Sequence, residues 1–427
     1  MLQIEQPVAA THAVHARNGW ATVAALFLFM ALNFADKAVV GLVAVPMMRE
    51  MGLSPAQLGI VGSAFFVLFA VSAIGVGWIA DRLDPTWLLA GLALVWVAAQ
   101  LPMIWPAGFA TLVLCRIVLG AGEGPALPLA MHVTYEAFDD RRRSLPTLIV
   151  QLGATAGLVL AGPALTYVEQ RWHWRATFLA LGVAGVAWVA LWLAVRFAGA
   201  PRVRVRAAAA PRAVTPGWRV LRSHFGNATV LTVLFQSFAG YAVVACGITW
   251  MPVYFRLGLS LPPARAGWLF GLQVLLQVPV GFALATLSHA LLRRNVSTRV
   301  ARGVLVSACC TVGGILLCVS FASWPPLAKV ALVGLAYAFA TQAFTFGPQL
   351  VAEVVPGANR AAMLSSVHAL ATTAGLFAPA LMGHLVTSTA GPRGYEAGFG
   401  AMGALLAVAG VAGFLWLQPA KEGRGAR

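Results

Sequence analysis

Twelve stretches of this chain are each long and apolar enough to form a helix that crosses a lipid bilayer, and they leave little sequence over. They fall at about 20–46, 57–80, 86–106, 109–133, 145–168, 176–197, 227–254, 265–290, 300–322, 327–350, 361–387 and 396–417. A helix rises about 1.5 Å per residue, so some 20 apolar residues span a hydrocarbon core about 30 Å thick. Within that core every backbone N–H and C=O must find a partner in its own segment or in a closed barrel. Runs of this length therefore predict an all-α integral membrane protein with twelve transmembrane helices in the lipid bilayer. Only 10% of the 427 residues are charged, where a soluble domain has about 25%.

The net charge of +16 would suit a nucleic-acid-binding module only if it formed a basic face on a soluble domain. Here the basic residues sit in loops. With twelve spans, both termini and every even-to-odd loop share one side, and twenty Lys and Arg fall there, against seven on the other. The positive-inside rule puts that side, and both termini, in the cytoplasm of a cell membrane protein. Nucleic acid is not expected as a partner. The first 19 residues have no apolar core of their own, so the run from Trp20 is read as a retained span and not a cleaved signal. Five cysteines in apolar stretches, without a CxxC, indicate neither a disulfide framework nor a metal site.

The chain repeats itself. "VPMMREMGLSPAQLG" joins spans 1 and 2, and "MPVYFRLGLSLPPARAG" joins spans 7 and 8. In both, a Pro is followed after five residues by Gly-Leu-Ser, with Pro46 and Pro252 at matching places. Two parallel six-helix repeats are the architecture of major facilitator transporters, with the site at the midplane between them. The expected organisation is a cytoplasmic tail (1–19), a six-helix bundle (20–197), a basic Pro/Ala/Arg cytoplasmic linker (198–222), a second bundle (223–418) and a tail (419–427).

Four charges lie well inside these spans: Asp36 and Lys37 in the first, Arg116 and Glu123 in the fourth. A charge at the bilayer centre costs about 2.5–3.5 kcal/mol on lenient scales, so such groups face partners or a watery cavity. Asp36 lies about 24 Å up span 1 and Arg116 about 10 Å down the descending span 4, which brings them to similar depths. Asp36 and Lys37 are about 100° apart on the helix, so one can turn to Arg116 while the other faces a pathway. Glu123 lies two turns from Arg116 among small residues (Gly120, Ala121, Gly122, Gly124), with no second buried cation expected at its depth. An ion-pair cluster that only fastens two helices would be expected in both halves, but the second half has Ala242 and Val243 at the positions of Asp36 and Lys37.

"NFADKAVVGLVAVPMMREMGLSPAQLG", "CRIVLGAGEGPALPLAMHV" and "ITWMPVYFRLGLSL" resemble the first, fourth and seventh spans of the anion:cation symporter family of major facilitators. That resemblance implies a proton-coupled symporter for the uptake of a small organic anion, a carboxylate such as a sugar acid or aromatic acid. It implies that Asp36 and Glu123 take protons, that Lys37 meets the substrate carboxylate, and that Arg116 pairs with Asp36. Two departures weigh against a sugar acid. Phe34 replaces the family's usual Tyr and so removes a hydroxyl, and Lys37 replaces Arg, giving a point charge where a bidentate fork is usual.

Further candidates are weaker. Asp81 and Arg82, in "GWIADRLDPTW", partly match the family's loop between spans 2 and 3 and are candidates for a conformational latch. Arg116, Phe34, Gln151, Tyr241, Gln273, Ser366 and His368 join Lys37 as candidate substrate contacts, although each neutral one taken singly is more often an interhelical hydrogen-bond partner. Gly153 and Gly162-Pro163 partly match a drug/proton antiporter motif, a minor argument for the rival reading of an exporter of drugs or acidic metabolites. No cofactor is indicated, since Walker and Gly-x-Ser-x-Gly sequences are absent. A membrane-embedded enzyme is the remote alternative, and a monomer is expected.

Overall fold

The computed structural model describes residues 8–80, 83–139, 142–197, 224–389 and 391–418. Among them, twelve helices are long and apolar enough to cross a membrane: α1 (Gly19–Met51), α2 (Pro55–Ala73), α3 (Pro85–Ile104), α4 (Phe109–Ala137), α5 (Ser144–Arg171), α6 (Trp174–Phe197), α7 (Ala228–Gly258), α8 (Pro263–Arg293), α9 (Arg299–Val319), α10 (Pro326–Val354), α11 (Ala362–Ser388) and α12 (Pro392–Trp416). The protein is a multi-pass membrane protein of the all-α class. Asp81, Arg82 and the expected 198–222 linker lie outside the described residues. Helix ends run past the apolar runs: α4 and α10 continue to Ala137 and Val354. The helix of α1 already begins at Val8, within the expected tail.

Lipid offers no hydrophobic drive for one helix to pack on another, so packing rests on small residues and interhelical hydrogen bonds. Within the first six helices, α1 packs on α5 and α6; within the last six, α7 packs on α10, α11 and α12. Buried indoles need acceptors. The Trp188 and Trp192 N–H groups of α6 donate to the Ala25 carbonyl of α1 (2.7 Å) and the Thr86 carbonyl of α3 (2.9 Å).

Two spans break at matching points. The first segment of α4 is Phe109–Glu123 and that of α10 is Pro326–Ala340, 15 residues each. In α4 the break falls at Gly124-Pro125, where Pro has no N–H to give the ladder. A Cβ on Gly120 or Gly124 would run into the Phe65 or Phe69 carbonyl of α2, so only glycine lets α2 lie this close to α4. The small residues around Glu123 thus admit a neighbouring backbone.

The two sets of six are joined at the end where α1 turns into α2. There the Ala56 N–H of α2 donates to Thr387 Oγ1 of α11 (3.0 Å), and the Ala380 N–H of α11 to Ser63 Oγ of α2 (3.1 Å). Gly162 of α5 and Gly267 of α8 meet backbone to backbone, so the Gly153 and Gly162 pattern serves packing: Gly153 abuts the Phe27 carbonyl of α1. Arg256, at the end of α7, makes a two-point ion pair with Glu169 of α5 (3.1 and 3.2 Å) and donates to the Leu42 carbonyl of α1 (3.3 Å). Among the described residues this is the ion pair that crosses between the sets.

Candidate functional site

The four buried charges converge where α1 crosses the first segment of α4. Asp36, Arg116 and Glu123 are 3%, 5% and 1% exposed. Because Asp36 and Lys37 are consecutive on a helix, they leave α1 in different directions. Asp36 faces α3 and α4: its backbone carbonyl accepts from Arg116 Nη1 (3.4 Å), and Gln100 of α3 lies beside its carboxyl. Its Oδ1 is buried without a protein partner. The Arg116 guanidinium also lies over the Phe65 ring, 4.8 Å from the centroid.

Lys37 reaches the other anion. Its ammonium is 3.2 Å from Glu123 Oε2 and donates to Asn33 Oδ1, one turn back on α1, at 2.5 Å. Glu123 Oε2 lies within ion-pair distance of the ammonium, while Glu123 Oε1 is buried without a partner. The same ammonium stands over the Phe34 ring at 4.0 Å, with Phe69 at 5.5 Å and Phe65 at 5.9 Å, within cation–π range. Of the pair, Lys37 keeps 10% of its side chain exposed and Glu123 none.

Two expectations about the cluster change. Arg116 reaches the Asp36 backbone and not its carboxylate as an ion pair. Glu123 does have a buried cation, Lys37. Depth along the helix axis had excluded that cation, but a lysine stem is long enough to cross between turns of crossing helices. Asn33 and Gln100 were not singled out from the sequence. Asn33 had a usable signal, since it lies four residues before Lys37 and so on the same face. Gln100, on a third helix, had none.

The remaining candidates divide. Tyr241 of α7 lies edge-on to Phe66 (5.8 Å between centroids), Phe344 (5.9 Å) and His368 (6.5 Å), which joins α2, α7, α10 and α11. Gln273 is buried against Gly334 of α10 with both amide atoms unpartnered. Ser366 donates to the Ala362 carbonyl of its own helix. Gln151 is exposed, its amide 4.0 Å from the Met131 sulfur and not against the four charges. Gln236, a neutral polar group of the second half, donates to Ser307 and to the Ala409 carbonyl, the contacts of an interhelical fastener.

The geometry is a buried, alternating charge cluster beside the junction of two six-helix sets, suited to exchanging one anion for another on Lys37. A hexuronate transporter of Bacillus subtilis is 26% identical over 243 residues, 55% of this chain and 57% of the relative. The match thus spans less than two thirds of that relative. A probable galactarate/D-glucarate transporter of the same organism is 22% identical over 312 residues, 68% of this chain and 69% of the relative. The structure of a D-xylose–proton symporter superposes with a TM-score of 0.75 at 16% identity, over 95% of this chain and 99% of that one, so the fold is shared. The sequence profile of the Major Facilitator Superfamily matches residues 26–349, well over half of the sequence, and the chain belongs to that superfamily.

Proposed function

We propose that this protein takes up an organic carboxylate together with a proton, by rocking of the two six-helix halves (20–197 and 223–418) about the charge cluster. The observation that carries the reading is the Lys37–Glu123 ion pair. While Glu123 is ionised, it holds the ammonium that an incoming carboxylate needs. A proton on Glu123 removes that competitor and frees Lys37 for the substrate. Deprotonation after reorientation restores the internal pair and expels the anion. One residue pair thus couples proton binding to anion binding with no larger rearrangement. The relatives whose names specify hexuronate and galactarate or glucarate support an organic acid as cargo.

Charge balance agrees. Asp36, Lys37, Arg116 and Glu123 sum to zero when ionised; a monocarboxylate adds one negative charge and a proton restores neutrality. Carrying an unbalanced charge across the membrane involves about 2.3 kcal/mol per 100 mV, so neutral loading suits a carrier that reorients when loaded. The test is uptake into proteoliposomes across a panel of labelled carboxylates. A pH gradient, acid outside, is expected to drive accumulation of a monoacid, with little response to membrane potential at fixed gradient. Binding and counterflow without any response to the pH gradient would remove the proton from the mechanism. Chemical alteration of the label would identify an enzyme. Accumulation driven only in the reverse direction would identify an exporter.

A further inference from the structure

An unbroken row of aromatic rings leads away from Lys37 into the second half of the molecule. Phe34 lies under the ammonium and Phe69 5.5 Å from it. Phe69 touches Phe66 (6.0 Å between centroids), Phe66 touches Tyr241 (5.8 Å), and Tyr241 touches both Phe344 and His368 (5.9 and 6.5 Å). These rings are not core residues. Phe34, Phe66, Phe69, Tyr241 and Phe344 are each partly exposed and His368 is exposed, and the row crosses from one half to the other where Phe66 meets Tyr241. The far end of the row opens on a cavity of about 80 Å³ lined by Phe344, His368, Ser237 and aliphatic side chains. Beside the cation, Asn33 gives its oxygen to Lys37 and keeps its amide nitrogen buried without a partner, so along the row a hydroxyl would meet chiefly the Tyr241 phenol, the His368 imidazole and Ser237.

A polyhydroxylated acid placed here would lose water from each hydroxyl and find few partners, at roughly 1–3 kcal/mol for each unpaired group. A flat apolar body loses nothing of the kind and gains ring contacts. We infer that the carboxylate carried by this protein has an aromatic body, with its carboxylate on Lys37 and its ring against Phe34, Phe69 and Phe66. The inference rests on the anion-carrier reading above and narrows it, away from the acid sugars that the relatives' names specify.

Isothermal titration of the full-length protein in nanodiscs at pH 6 with benzoate, 2-naphthoate and glucuronate tests it. The aromatic acids are expected to bind at least about 10-fold more tightly than glucuronate, the effect of about 1.4 kcal/mol. Phe66→Leu and Phe69→Leu should each narrow that gap, by weakening naphthoate while leaving glucuronate unchanged. Phe34→Tyr, which keeps the ring and adds a hydroxyl, should narrow it from the other side by tightening glucuronate. Glucuronate binding as tightly as naphthoate to the unaltered protein would overturn the aromatic assignment and leave the carboxylate carrier standing. No binding by any of the three, in protein that retains its helical content and a cooperative melt, would overturn both.

Discussion

The two halves share a plan and differ in what they bury at its centre. α4 and α10 each begin with a 15-residue helical segment and then break. In α4 the eighth and fifteenth residues of that segment are Arg116 and Glu123; in α10 they are Val333 and Ala340, both fully buried. Likewise Asp36 and Lys37 of α1 correspond to Ala242 and Val243 of α7, each 2% exposed. The same packing is therefore reached with apolar side chains in one half and with four ionisable ones in the other. Burying charges is expensive, and an apolar replacement of a buried ion pair is often neutral or stabilising. The second half is the evidence that this fold does not need them, which supports the proposed role of the four charges in transport.

The largest effects should come from breaking that asymmetry. Lys37→Ala and Arg116→Ala are each expected to lower proton-driven carboxylate uptake by at least about 100-fold, since truncating a buried charged partner costs about 2–5 kcal/mol of binding. The first removes the cation that Glu123 and the substrate share, and the second removes the positive charge beside Asp36. Val243→Ala, the counterpart of the first, should stay close to the unaltered rate. Lys37→Arg should retain part of the activity. Equal losses from Lys37→Ala and Val243→Ala in initial-rate assays would mean that the position matters and the charge does not.

Glu123→Gln should separate binding from coupling. The amide resembles the protonated acid and frees Lys37 without a proton, so carboxylate affinity should become insensitive to pH in titrations. Counterflow should persist while accumulation against a pH gradient is lost. Gradient-driven accumulation by this variant would shift coupling to Asp36, whose Oδ1 is buried without a protein partner.

A smaller effect is expected where the halves meet. Glu169→Gln removes one charge from the ion pair with Arg256 and should favour separation of the two halves at this end by about 1–2 kcal/mol, a 5–30-fold shift in population. Spin-label distances between positions 51 and 388 should then gain a longer component. An unchanged distance distribution would mean that helix packing alone holds this end closed.

The smallest functional effect belongs to Gln236, which fastens α7 to α9 and α12. Gln236→Leu should lower the melting temperature by about 1 °C, as expected for a loss near 1 kcal/mol in a chain of 427 residues, and leave substrate affinity unchanged. A changed affinity would move Gln236 from fastener to binding wall.

The turns that follow α1 and α7 show how far a repeated sequence constrains local structure. After α1, Ser54 caps α2 through a reciprocal pair with Gln57 (3.2 and 2.9 Å). Its counterpart Ser260 adopts a left-handed φ of 54° and caps nothing; Pro262 precedes α8 instead. Pro55 directly follows the first serine, whereas Leu261 intervenes after the second. One residue between Ser and Pro changes which residue starts the helix, although both helices start at the same end of the molecule.

What the sequence determined by itself is what depends on distance along one chain. Bilayer thickness and the need to pair every backbone group made the twelve helices legible, and the cost of a charge in hydrocarbon marked Asp36, Lys37, Arg116 and Glu123. The tertiary structure decided what depends on the reach of side chains between helices. It set Lys37 against Glu123 and Asn33, turned Arg116 to a backbone carbonyl, and brought Gln100 from α3 to Asp36. It also aligned rings from α1, α2, α7, α10 and α11, which are separated by up to some three hundred residues of sequence. Periodicity tells which residues share a face of one helix. It does not tell which face of another helix they meet, because that follows from tilt and crossing angle, and glycines such as Gly120 and Gly124 let neighbouring backbones close to contact.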